Sequence, residues 1–234
     1  ARFVSRNKVL PFRKRSHKSI AHKLSSWNFA SRTMWGNYHS ELIGTSGEVT
    51  LTPRLQRVAQ LVSSLQPKTV LDLAGNQGAL ARSIARLPQV EQVICADYDE
   101  RAIDLLVERT KLEEPICPVV CNLMGDSSPA DTDSRQNRLK SDVVIALAVT
   151  HHLVLTQKYA LDAVLCTLAR FSNAYVLVEF MPLGLYNGSS APPLPDWYTE
   201  QWFESGVQRT FEMLGKEYLE ENRVLYIAKI RKFV

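Results

Sequence analysis

The sequence predicts an α/β fold: a Rossmann-like, mostly parallel seven-stranded sheet with helices on both faces and a C-terminal antiparallel hairpin. Three observations point there. Short apolar runs alternate with helical periodicity along most of the chain. The run Thr69–Leu73 leads directly into the small, turn-prone stretch Ala74-Gly75-Asn76-Gln77-Gly78, and a helical pattern begins at Ala79. Polar or small residues follow the ends of successive apolar runs: Gly75, Asp97, Asn122, His151 and Glu179. In an open parallel sheet those ends share one edge, where ligands bind.

The 234 residues suffice for one large domain, or for one domain with a small extension. The expected division is a basic N-terminal extension and possible lid over 1–40, then a catalytic domain over 41–234. Residues 1–40 carry nine Lys or Arg and no acid, so the overall charge of +4 leaves the remainder mildly acidic. Such an arm can attract an acidic protein partner, RNA or an anionic surface, or it can be a solvated tail. The chain begins with alanine, as a processed or excised end would. Its first residues lack an apolar secretory core, and no apolar run is long enough to span a bilayer. With four cysteines and no zinc-type spacing, buried thiols in a reducing, cytoplasmic compartment are expected.

The elements follow in order. Pro11 and a Ser/His/Lys mixture argue against a long regular element over 1–28. Trp35-Gly36-Asn37-Tyr38-His39 mixes aromatic and polar groups, suited to a substrate wall or to docking the arm on the core. Thr50 or Thr52 caps a helix that Pro53 starts, with Leu55, Val58, Leu61, Val62 and Leu65 on its apolar face. The first strand, 69–73, contains Asp72. After its glycine loop comes a helix over roughly 79–87. A second strand ends at Asp97, 25 residues beyond Asp72, about one strand–helix–strand unit. An acid there can accept hydrogen bonds from both hydroxyls of a ribose. Asp99 caps the next helix. Ile116–Leu123 is the third strand with its exit, and the polar stretch 125–141 reads as a mobile insertion. A fourth strand, 142–148, ends at Val149-Thr150-His151-His152, and a helix follows over about 157–171. A fifth strand, 175–180, carries Glu179. A long connection over 181–196 leads to a helix after Thr199. Glu212–Leu219 and Arg223–Ile230 then form a hairpin around Glu221-Asn222.

This order resembles the class I S-adenosylmethionine-dependent methyltransferases. More narrowly, it is similar to the methyltransferases related to the rhizobial nodulation proteins. The residues that carry the resemblance are 35–39, Val70–Gly78, Ala146–Leu153 and Val178–Pro182, and it extends over roughly 30–230. The family loop is acid-x-Gly-x-Gly-x-Gly. Here Ala74 and Asn76 stand at two of its glycine positions, Gly78 at the third, and Gly75 adds a small site. The resemblance implies that Asp72 and the backbone of Ala74, Gly75, Asn76 and Gly78 hold the methionine part of S-adenosyl-L-methionine. It places Asp97 on the ribose, and Asn122 and Leu123 beside adenine.

Methyl transfer to an acceptor that must lose a proton calls for a base, and His151 and His152 are the candidates, with Glu179 to orient one of them or the acceptor. Trp35, Tyr38, His39 and Arg223 are the candidate substrate contacts. The favoured acceptor is a small molecule or a carrier-bound natural product. An RNA methyltransferase and a catalytically inactive cofactor-binding or protein-interaction domain are the alternatives. No metal ligands are assigned; adjacent histidines with Glu179 leave a divalent metal conceivable but not favoured.

Overall fold

The computed structural model describes residues 42–43, 48–125, 137–186 and 188–231, all within the compact unit spanning Met34–Val234. The basic arm, Trp35, Tyr38, His39 and most of the 125–141 stretch lie outside the described residues.

Helix α1 (Pro53–Ser64) starts as the sequence predicts: the Thr52 side chain accepts from the Leu55 N–H, and Pro53 takes the first turn. Strand β1 (Thr69–Leu73), helix α2 (Ala79–Ile84), strand β2 (Gln92–Asp97), helix α3 (Glu100–Arg109) and strand β3 (Ile116–Val120) follow. Asp99 caps α3, accepting from Arg101 and Ala102. Then come β4 (Ser141–Ala146), a π-helical turn (His152–Thr156), α4 (Leu161–Phe171), β5 (Ser172–Phe180), α5 (Glu200–Thr210), β6 (Phe211–Glu220) and β7 (Arg223–Ile230). The expected helix over 157–171 therefore begins later, at Leu161. The π-helical turn, which begins at His152 itself, left no signal in the periodicity.

The seven strands run in the order β3-β2-β1-β4-β5-β7-β6. The first five are parallel, and β7 is antiparallel to both β5 and β6. The order turns back between β1 and β4, which is where ligands sit in such sheets.

Alternation along the strands feeds two cores, because successive side chains of a strand point to opposite faces. Val70, Val93, Cys95, Val143, Ile145, Leu177 and Leu225 pack with Leu55, Val58 and Val62 of α1, Ile84 of α2 and Leu106 of α3. Leu71, Ile94, Val144, Val176, Val178 and Tyr226 pack with Leu165, Leu168 and Phe171 of α4 and Phe203 and Val207 of α5. Helices thus cover both faces, as the uniformly apolar central strands require.

All four cysteines are free thiols. Cys95 and Cys121 are buried, but Cys117 on the edge strand and Cys166 on α4 are exposed, which corrects the expectation that all four are buried. Among the described residues, no helix is long and apolar enough to cross a membrane.

Candidate functional site

The loop after β1 keeps a glycine-type path without the glycines. Ala74 has φ 58°, Asn76 φ 51° and Gly78 φ 75°, so all three family glycine positions are left-handed. Alanine resists that region by about 1–2 kcal/mol, whereas asparagine tolerates it better. Gly75 meets a different demand. A Cβ there would lie 2.6 Å from Cys95 Sγ and 2.8 Å from Asp72 Oδ2, so the backbone crosses directly over these two side chains.

Hydrogen bonds join the strand ends beneath this loop. Gly75 N–H donates to Ala96 O (3.2 Å), and Cys121 N–H donates to Asp97 O (2.8 Å). Asp97 Oδ2 accepts from Asn76 N–H and its Oδ1 from Asp99 N–H, both at 2.8 Å. Asn122 is exposed at the β3 exit, where its Oδ1 accepts from Met124 N–H; Leu123 is half-buried beside it. The predicted cofactor residues Asp72, Ala74, Gly75, Asn76, Gly78, Asp97, Asn122 and Leu123 therefore meet along one edge. Tyr98, not singled out from the sequence, adds an exposed ring directly after Asp97. Its position after the strand-end acid was the available signal.

The electrostatics of this edge are unusual. Asp72 is buried, and its Oδ2 has no hydrogen-bond partner among the described residues. Burial, with the nearby Asp97 carboxylate, pushes its carboxyl up to about 7. Burial also raises Asp97, although the N–H groups of Asp99 and Asn76 oppose this by stabilising its charge.

The second half of the edge is built around Glu179. This side chain is fully buried. Arg54 Nη1 donates to its Oε1 at 2.9 Å; Arg223 Nη1 (2.9 Å) and Ala148 N–H (2.8 Å) donate to its Oε2. The Thr150 hydroxyl donates to Glu179 O at 2.7 Å. Ala148 is itself left-handed, at φ 50°. Arg54 and Arg223 each also lie 3.6 Å from the Glu220 carboxylate. Glu179 thus grips the loop that presents the histidines: its described hydrogen bonds reach that loop and two arginines rather than an imidazole. Arg223 has its charge matched by Glu179 at the same place.

Sequence reasoning missed Arg54. It shares the i, i+4, i+8 stripe of Val58 and Val62, so a buried guanidinium was legible in helical spacing.

His151 is buried and His152 half-buried, with ring centroids 4.0 Å apart. His151 Nδ1 has no hydrogen-bond partner among the described residues. Burial, then the neighbouring His152 and Arg223, pushes His151 down to about 3; burial also lowers His152. Both rings are therefore expected to be neutral near pH 7. Among the described residues, no group of three or more His, Cys, Asp or Glu side chains is arranged to hold a metal.

Two depressions lie elsewhere. One of about 440 Å³ opens at the N-terminal ends of β1–β3, lined by Thr69, Gln92, Glu114 and Ile116. It contains none of the strand-exit groups, and the topology puts ligand chemistry at the opposite edge. The other, about 420 Å³, lies between α4 and α5 and includes Tyr159, Trp197 and Trp202.

This strand order, with its left-handed loop after β1 and an acid ending β2, is the class I methyltransferase fold. The chain is similar to the N-methyltransferase NodS of Bradyrhizobium japonicum WM9, solved in complex with S-adenosyl-l-homocysteine. The TM-score is 0.56 at 14% identity, over 85% of this chain and 98% of that one. It also resembles an O-methyltransferase family protein of Burkholderia thailandensis (TM-score 0.56, 18% identity, 76% of this chain and 55% of that one). TehB of Haemophilus influenzae gives a TM-score of 0.55 at 17% identity, over 84% and 67% of the two chains. In sequence, the nodulation protein NoeA of Rhizobium meliloti (strain 1021) is 24% identical over 190 residues, covering 76% of this chain. The chain spans 39% of the length of that relative. No protein-family model matches the chain.

Proposed function

We propose that this chain binds S-adenosylmethionine at the exits of β1, β2 and β3 and directs its methyl group to a small-molecule or carrier-bound natural-product acceptor. One observation carries the reading: the loop over Asp72 holds the left-handed path at 74, 76 and 78 although two of its three positions are not glycine. Retaining that path at a cost in backbone strain favours a working ligand cradle over an inactive domain. S-adenosylhomocysteine in NodS supports the same choice of ligand.

The residues fit such a donor. Asp72 offers a buried carboxyl oxygen with no partner among the described residues, suited to an ammonium group. Asp97, with each oxygen already fixed by one N–H, retains lone pairs for ribose hydroxyls. The exposed Tyr98 ring and Leu123 supply apolar surface for a base. When bound, the donor supplies an electrophilic methyl on a sulfonium, a good leaving group.

The chain's own contribution is alignment and exclusion of water. His151 and His152 face the acceptor as neutral imidazoles. Nδ1 of His151 accepts a hydrogen bond from the acceptor and orients its lone pair. Glu179, with Arg54 and Arg223, fixes the Ala148–Thr150 turn beneath them. The basic arm over 1–40 suits an acidic carrier protein.

The test is calorimetric titration with S-adenosylhomocysteine, with and without divalent metal. Micromolar binding without metal is expected. No binding by demonstrably folded protein overturns the reading, and binding only with metal replaces it with a metal-assisted site.

A further inference from the structure

We propose that Asp72, the carboxyl beside Asp97, takes the donor's α-ammonium in exchange for a proton, so that donor binding releases up to about one proton to solvent. This rests on the donor-site reading above and adds a property of this chain's carboxyl pair.

Geometry is the starting point. Asp72 is buried, its Oδ2 lacks a partner among the described residues, and Gly75 passes directly above it. A bare carboxylate in that setting is expensive, so a proton or a cation must accompany it. Asp97 has both oxygens on backbone N–H groups, which favour its charged form. Asp72 is therefore the member left to hold the proton.

Among the described residues, no cation pairs with Asp72; Arg109 at the end of α3 donates to Gln77 Oε1 in the loop. In the sheet, Asp72 lies beside Cys95 on β2 and Ile145 on β4. The Cys95 thiol is pushed up by burial and by the two aspartates, and it stays neutral. Arg82 of α2 is the nearby cation felt by Cys95, and it pairs with Glu114 instead. Asp99 adds negative charge beside Asp97. The α1 side chains on this face are apolar, apart from Arg54, which is held by Glu179. A ligand ammonium would supply the missing charge, and the displaced proton leaves to the buffer.

The experiment is calorimetric titration of the full chain with S-adenosylhomocysteine in buffers of differing ionisation enthalpy. The expected release approaches one proton near pH 6, about half near pH 7 and almost none above roughly pH 8.5. Affinity should fall about tenfold per pH unit below the midpoint of the free site. 5′-Methylthioadenosine, which lacks the ammonium, should bind without releasing a proton. Asp72→Asn should bind S-adenosylhomocysteine more weakly and without release. Buffer-independent enthalpy near pH 6 overturns the exchange while leaving the donor site intact. Release that persists in Asp72→Asn overturns the assignment to Asp72. Absence of all binding by folded protein overturns the donor site itself, and the exchange with it.

Discussion

Asn76 N–H donates to Asp97 Oδ2 at 2.8 Å, tying the loop after β1 to the end of β2. One carboxylate thus shapes the ligand loop and also faces the position proposed for the ribose. Its two roles are separable, because the loop bond needs one acceptor oxygen and the ribose needs the remaining lone pairs.

Asp97→Ala should weaken S-adenosylhomocysteine binding by about 2 kcal/mol and also loosen the loop. Asp97→Asn keeps one carbonyl acceptor, so it should retain more stability than Asp97→Ala while still binding the ligand more weakly. Calorimetry alongside thermal unfolding checks both. Unchanged affinity in folded Asp97→Ala would reject the ribose assignment.

Two substitutions in the neighbouring loop should have opposite signs. Ala74→Gly relieves a left-handed alanine, and the gain exceeds the added freedom of the unfolded chain; stabilisation by up to about 1 kcal/mol is expected. Gly75→Ala drives a methyl against Cys95 Sγ and Asp72 Oδ2 and should cost on the order of 1–3 kcal/mol. Urea unfolding of both variants makes the comparison. A stabilised Gly75→Ala would contradict the close crossing of the loop over β1.

Removing Glu179 takes the buried counter-charge from two largely buried guanidinium groups and leaves the half-exposed Glu220 carboxylate, 3.6 Å from each, as a longer-range partner. Glu179→Ala should therefore cost about 3–5 kcal/mol, more than Arg54→Met, which leaves Glu179 still paired with Arg223. Equal costs in denaturant melts would mean that Glu179 does not serve both arginines at once.

Asp72→Asn should stabilise the ligand-free protein in a pH-dependent way. The folded value of about 7 lies above the ordinary 3.8, so the folded chain holds this proton more tightly than the unfolded chain. That contribution is fully present below the ordinary value and is lost as pH rises through the folded one. The variant should exceed wild type by on the order of 2–4 kcal/mol near pH 8, with the advantage vanishing near pH 4. His151 acts with the opposite sign. Its folded value of about 3 lies below 6.5, so its contribution is present above 6.5 and is lost as pH falls through 3. Subtracting the two unfolding profiles cancels the His151 contribution and isolates Asp72. A pH-independent difference would show that Asp72 carries no raised carboxyl.

The sequence by itself determined the architecture and which residues share the strand-exit edge. Short apolar runs, strand-end polar groups and turn residues are local signals. In a parallel sheet they add up to one ligand edge, because every strand exits on the same side. That is how Asp72, Gly75, Asp97 and Asn122 were legible as neighbours. Only the tertiary structure decided what the buried charges do. Arg54 and Glu179 are 125 residues apart in sequence, and nothing local says that they meet. Nor does local sequence show that Ala74 and Ala148 are left-handed, since alanine alone prefers other backbone angles and tertiary contacts must hold it there. The proton states of Asp72 and His151 follow from burial and from neighbouring charges, both fixed by packing rather than by residue type.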